Sequence, residues 1–288
     1  MSQNLLNVAS IFVKKKMDTL NFLGAIGAIL IGVVLGLTGG GGSILTVPIL
    51  VYLLGINPIT ATGYSLFIVG SASLFGAIRN AKLGMIDYRT GIVFAIPAFI
   101  SVYLTRKYLV PSIPDVLFTV NDYVLTKDVG IMVFFALVML AASISMIKGR
   151  KESVKPCCSS QEEPIVSFNY PMIIAEGLVV GVLTGVVGAG GGFLIIPALV
   201  LFAKLPMKKA VATSLMIIAI KSLIGFLGDV QNVTIDWEFL LTFTSLSILG
   251  IMLGIYLNKF VDGKKLKKYF GWFVLLMGVY MIIKELVL

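Results

Sequence analysis

Eight stretches of the chain stay apolar over the roughly 17 to 25 residues that a bilayer-spanning helix requires. They lie near 21–37, 60–78, 92–109, 130–147, 171–187, 209–228, 239–258 and 269–286. No other feature restricts the fold as much, because inside lipid every backbone N–H and C=O must find a partner within the protein. That leaves helices and closed barrels. Hydrophobic residues occupy 58% of the 288 positions and charged residues 13%, whereas about a quarter of a soluble domain is charged. The expectation is an all-α integral membrane protein of about eight transmembrane helices.

Two places break this pattern. The segment LTGGGGSILTVP (37–48) and its counterpart VVGAGGGFLIIP (186–197) put glycine runs between apolar stretches, and shorter apolar pieces follow at 44–54 and 193–203. Sliding the chain by 149 residues aligns 31–50 with 180–199 without a gap. Gly32, Gly36, Gly39, Gly41, Gly42, Leu45 and Pro48 fall on Gly181, Gly185, Gly188, Gly190, Gly191, Leu194 and Pro197. The register continues through Ala61, Ser65, Ser73, Gly76 and Asp87, which fall on Ala210, Ser214, Ser222, Gly225 and Asp236. The chain therefore reads as two homologous repeats, each with a glycine-broken first helix and a short half-helix. The expected organisation is an N-terminal polar or amphipathic segment 1–20, repeat 1 at 21–147, a polar linker at 148–170 and repeat 2 at 171–288.

Backbone that leaves a helix at membrane depth costs several kcal/mol per unsatisfied group, so it is kept only where it is buried in protein or lines a watery cavity. Paired glycine-interrupted segments in corresponding positions of two halves point to a transporter binding site. Glycine admits positive φ and close approach to the main chain, and a helix starting near Ser43 or Phe193 would present N–H groups to an anion. The candidate site is thus Gly39, Gly40, Gly41, Gly42 and Ser43 with Gly188, Ala189, Gly190, Gly191 and Gly192. Close helix packing through small residues is the competing use. A nucleotide loop ranks below that, since the Lys-Ser/Thr ending of a phosphate loop is missing and neither run completes G-x-G-x-x-G. Hydroxyls at Thr38, Ser43, Thr46 and Thr184 could serve an anion or the freed carbonyls. Pro48 and Pro197, about one turn into the short helices, weaken the preceding turn.

Lys221 stands near the middle of KKAVATSLMIIAIKSLIGFLGD. A lysine at bilayer centre costs about 2.5–3.5 kcal/mol on insertion scales, which makes it a candidate functional residue. Ser214, Ile218, Lys221, Gly225 and Gly228 share one helical face, small and polar enough for a cavity wall. The aligned helix offers Ser65, Val69, Ala72, Gly76 and Arg79. Ser65, Ser214, Lys221 and Arg79 therefore join the candidate site. The alternatives are a snorkelling anchor for Arg79, and for Lys221 an ion pair or a bond to broken-helix carbonyls. Asp87, Asp236 and Asp229 could gate, pair with Arg79, carry protons or cap helices.

The net charge of +9 does not imply nucleic acid, because Lys and Arg sit at the ends of apolar segments, as helix anchoring requires. Lys14, Lys15 and Lys16 before the first apolar run resemble a signal peptide, but the same apolar segment recurs inside the chain. Cys157 and Cys158 are adjacent, a poor geometry for a structural disulfide. With no histidine, His-ligated metal sites and histidine acid–base chemistry are excluded. No cofactor, metal or catalytic residue is expected. Eight spans would put 11 Lys and Arg on each side of the membrane, three of them in an expected loop at 105–128, so charge does not set the topology. The first half alone favours a cytoplasmic N-terminus, and parallel and inverted repeats both remain open.

The pair GLTGGGGSILTVPIL and GVVGAGGGFLIIPAL, each followed by an alanine-rich helix entry (ITATGYSL and AVATSL), resembles the TauE/SafE sulfite-exporter family. What the resemblance implies is secondary transport of sulfur-containing anions such as sulfite, sulfonates or sulfoacetate, usually outward across the plasma membrane. The implied partners are that small anion and the lipid bilayer, with proton or ion coupling in question and no nucleic acid. An anion-selective channel, whose cationic stripe would line a hydrated pore, is the alternative. A membrane-embedded enzyme ranks last.

Overall fold

The computed structural model describes residues 22–114, 116–120, 123–147, 170–188, 190–201, 205–230, 235–258, 260 and 263–287. The N-terminal segment 1–20, the linker up to residue 169 with Cys157 and Cys158, and Ala189 lie outside the described residues.

Helix α1 (Phe22–Thr38) ends at the first glycine run, and α2 (Gly42–Pro48) restarts after it. Pro48 has no N–H for the carbonyl four residues back, and Ile49–Leu53 winds on as a π-turn. Helix α3 (Pro58–Lys82) opens with Pro58 at its first position and with the Asn57 side chain accepting from Ile59 N at 3.0 Å, a favoured pairing of cap and proline. Helix α4 (Tyr88–Leu104) starts on the Asp87 cap. In the second half α6 (Tyr170–Val187), α7 (Gly192–Leu201), α8 (Met207–Asp229), α9 (Trp237–Leu257) and α10 (Gly263–Val287) follow α5 (Lys127–Ile147).

The expected loop 105–128 needs correction. Helix α4 continues through a π-turn at Thr105–Leu109 to Ser112, which carries Arg106 and Lys107 into the helix. Beyond it, β1 (Val116–Val120) pairs antiparallel with β2 (Tyr123–Thr126), in register from Val120↔Tyr123 to Phe118↔Leu125, with a shift before Val116↔Thr126. Both are rich in β-branched and aromatic residues. Among the described residues this small hairpin is the only sheet, and the other regular elements are helical.

Among the described residues four helices are long and apolar enough to cross a membrane, namely α3, α4 with its extension, α8 and α9. Helices α3 and α8 form the mostly buried centre, and α4 and α9 pack outside them. On α4, Ile92, Ile96, Ile100 and Leu104 recur every fourth residue and are exposed. Ala95, Ala98 and Val102 on the other face are buried. Exposed apolar stripes of this length, with charged side chains buried within, are an arrangement suited to lipid and not to water.

The helices interlock across the halves. Helix α1 packs on α9 with Gly32 against Ser247 and Gly250, and α6 packs on α4 with Gly181 against Ala98 and Ser101. These two sets coincide under the 149-residue shift. Likewise Asp87 N donates to Thr213 Oγ1 at 3.0 Å and Asp236 N donates to Tyr64 OH at 2.7 Å. A contact made by one half on the other is thus returned by its counterpart.

Candidate functional site

The first glycine run leaves the helix for three residues only. Gly39 has φ +74, and its N–H still bonds Leu35 O at 2.8 Å. Thr38 Oγ1 donates to Val34 O and accepts from Gly41 N, both at 2.7 Å. Ser43 Oγ donates to Gly40 O at 2.6 Å and Thr46 Oγ1 to Gly42 O at 3.2 Å. From α8, Ser214 Oγ lies 2.6 Å from Gly39 O and 2.8 Å from Val211 O. The hydroxyls around this loop are spent on backbone carbonyls. Its neighbours are otherwise apolar, with Gly39 against Val211 and Gly42 against Ile31 and Leu35.

The second run differs from the first in both backbone and surroundings. Gly188, Gly190 and Gly191 all have positive φ, at +70, +63 and +64, in the region where only glycine is unstrained. A Cβ on Gly188 would overlap Arg106 Nη2 and Thr62, and one on Gly191 would stand 2.7 Å from Lys221 Nζ. Gly190 faces Val69, Ser43 and Ser222. The two loops meet where Gly40 and Gly192 touch backbone to backbone. No room is left between them at that point.

Lys221 is 1% exposed. Its Nζ donates to Thr184 Oγ1 at 2.9 Å, and Thr184 passes its own proton to Gly181 O at 3.3 Å. Among the described residues the partner of Lys221 is therefore a hydroxyl, neither a carboxylate nor a broken-helix carbonyl. Its helical face is not an open wall: Ser214 and Ile218 are buried, Gly225 meets Val102, and Gly228 meets Arg106.

Sequence reasoning missed Arg106. The residue is 0% exposed and its Nη1 lies 3.1 Å from Asp229 Oδ2 and 3.0 Å from Thr62 Oγ1. Asp229 so pairs with Arg106 and not with Arg79. The neighbouring Lys107 turns outward, donating to Tyr103 OH at 3.3 Å beside the Tyr103 and Tyr108 rings, an amphipathic side chain seeking the surface. One signal was present in the sequence, since Tyr108, Leu109 and Val110 continue the apolar run beyond the two cations.

The remaining candidates separate. Ser65 is buried, and its hydroxyl has no partner among the described residues. Arg79 donates to Met252 O at 3.3 Å in an exposed contact between α3 and α9 and stands apart from the glycine loops. Asp87 and Asp236 cap α4 and α9, accepting from Thr90 N at 3.0 Å and Phe239 N at 3.1 Å. Among the described residues no group of His, Cys, Asp and Glu could hold a metal ion.

Comparison with known proteins identifies the family. The family model described as sulfite exporter TauE/SafE matches residues 24–281. A "Probable membrane transporter protein" of Xylella fastidiosa (strain 9a5c) is 28% identical over 88% of this chain and 91% of its own length. The "Probable membrane transporter protein YunE" of Bacillus subtilis is 28% identical over 87% and 93%. That of Methanocaldococcus jannaschii, "Probable membrane transporter protein MJ0441", is 33% identical over 38% and 44%. No solved structure matches the chain. Apolar helices, paired glycine breaks, buried cations and a family match over residues 24–281 lead to one conclusion: the chain belongs to the TauE/SafE sulfite exporter family and is a multi-pass membrane transporter.

Proposed function

We propose that this transporter carries small sulfur-containing anions of the sulfite, sulfonate or sulfoacetate class, exporting them across the plasma membrane by alternating access. The observation that carries the reading is Lys221, a buried ammonium set against Gly191 in a loop of positive-φ glycines. Among the described residues the buried Lys221 is bonded by the Thr184 hydroxyl and by no carboxylate, and a bound anion supplies the counter-charge. The reciprocal contacts between halves support two repeats related by an approximate two-fold axis, since a self-complementary interface returns every contact. Eight spans and motion of one repeat against the other accord with that symmetry. With Lys221 and Arg106 both buried, the conformation is read as occluded, which favours a carrier over a permanently hydrated channel.

The test is counterflow in proteoliposomes, with a binding screen over sulfite, sulfate, thiosulfate, sulfoacetate and simple carboxylates. Saturable uptake with counterflow of a sulfur anion is expected. Rates too fast for a conformational cycle, without counterflow, would establish the channel instead. Binding of carboxylates alone would refute the sulfur class.

A further inference from the structure

The Arg106 guanidinium is buried and only partly used. Asp229 and Thr62 both engage Nη1, whereas Nε and Nη2 have no hydrogen-bond partner among the described residues. Those two nitrogens share one edge of the guanidinium, and their N–H groups run parallel as the fork that fits two oxygens of a carboxylate or oxoanion. Leaving two charged donors unpaired in the interior is costly, so a vacant buried fork points to a ligand. Nη2 is directed at Gly188, at the opposite end of the same loop from Lys221.

The charges agree. Arg106 and Lys221 carry two positive charges and Asp229 one negative, so these three groups sum to a single positive charge that one bound monoanion cancels. The equivalent places around the first loop carry no such set. Under the 149-residue shift, Ile255 stands for Arg106, Ala72 for Lys221, Leu35 for Thr184 and Val211 for Thr62. Gly39 accordingly meets Val211 where Gly188 meets Thr62.

We propose that Arg106 is a second anion-binding residue of the site, whose Nε–Nη2 fork grips two oxygens of the substrate and selects oxoanions over halides. The assignment rests on the transport reading above and places the receptor on the Gly188–Gly191 loop alone. Lys221 attracts any anion, since an ammonium is a point charge; the fork adds the geometric requirement.

The experiment measures binding of sulfite, methanesulfonate and chloride to the full-length protein in detergent, for wild type and Arg106→Lys. Lysine retains a charge opposite Asp229 and removes the fork. Sulfite and methanesulfonate should bind at least tenfold more weakly, while chloride affinity stays within twofold. Oxoanion affinity equal to wild type, or an equal loss for chloride, would overturn the proposal. If Arg106→Lys fails to fold, the double variant Arg106→Gln/Asp229→Asn keeps the site uncharged and hydrogen-bonded, and it should show the same selective loss; unchanged oxoanion binding there overturns the proposal as well. A wild-type protein that binds no oxoanion would defeat the transport reading together with this one, whereas unchanged variants of a binding wild type defeat this one alone.

Discussion

Lys221 Nζ donates to Thr184 Oγ1 across 2.9 Å, joining the middle of α8 to the last turn of α6 just before the chain leaves the helix. Lys221→Met keeps the length and removes an insertion cost of about 2.5–3.5 kcal/mol. Folding should therefore hold, with Tm in detergent unchanged or higher, while sulfite-dependent stabilisation and counterflow disappear. Lys221→Arg should keep part of the activity. A Met variant that binds and moves sulfite normally would remove Lys221 from the site.

Asp229 is the counter-charge of Arg106, and both are buried. Asp229→Ala strands a guanidinium in the interior and should lower stability by about 3–5 kcal/mol. Adding Arg106→Met should recover part of that loss, because the unpaired charge then goes too. Unfolding of the two single variants and the double variant gives the coupling; simple additivity would show that the two residues act independently.

Gly55 and Gly188 have nearly the same φ, +69 and +70, but nothing lies within 4 Å of a Cβ on Gly55. Gly55→Ala should cost only the left-handed strain of about 1–2 kcal/mol and leave transport per folded molecule intact. Gly188→Ala must also displace Arg106 and Thr62, and transport should be abolished. Equal behaviour of the two variants in yield and flux would contradict the close packing at Gly188.

Asp87 and Asp236 are spent on helix caps. Replacing either by alanine should cost about 1 kcal/mol of stability without altering the pH dependence of flux. A changed pH profile would restore a proton-carrying role to the carboxylate.

The two breaks were legible because contiguous glycines inside apolar runs have few other uses, and the 149-residue register can be followed in the sequence itself. The difference between the loops was not. Lys221 could be read from its depth in a span, but its partner Thr184 lies on another helix. Arg106 looked like the cationic end of a span because a π-turn and a further turn of helix, which no apolar periodicity announces, carry it inward past Leu104. Its mate Asp229 lies in the other half, and a shift that matches Asp229 with Asn80 says nothing about which residues meet across the halves. The hydroxyls near the first loop could be read for an anion or for freed carbonyls, and Ser43 and Ser214 donate to Gly40 O and Gly39 O.

The unequal surroundings of Gly39 and Gly188 bear on stoichiometry. Two matching frames would permit two receptors and sigmoidal saturation, as in a symmetric dimer. Val211 and Leu35 line one frame and Thr62 and Thr184 the other, so the proposed receptor has room for its polar partners in the second frame alone. A titration with sulfite should then be hyperbolic and end at one anion per molecule, with the first loop held to its twin where Gly40 meets Gly192.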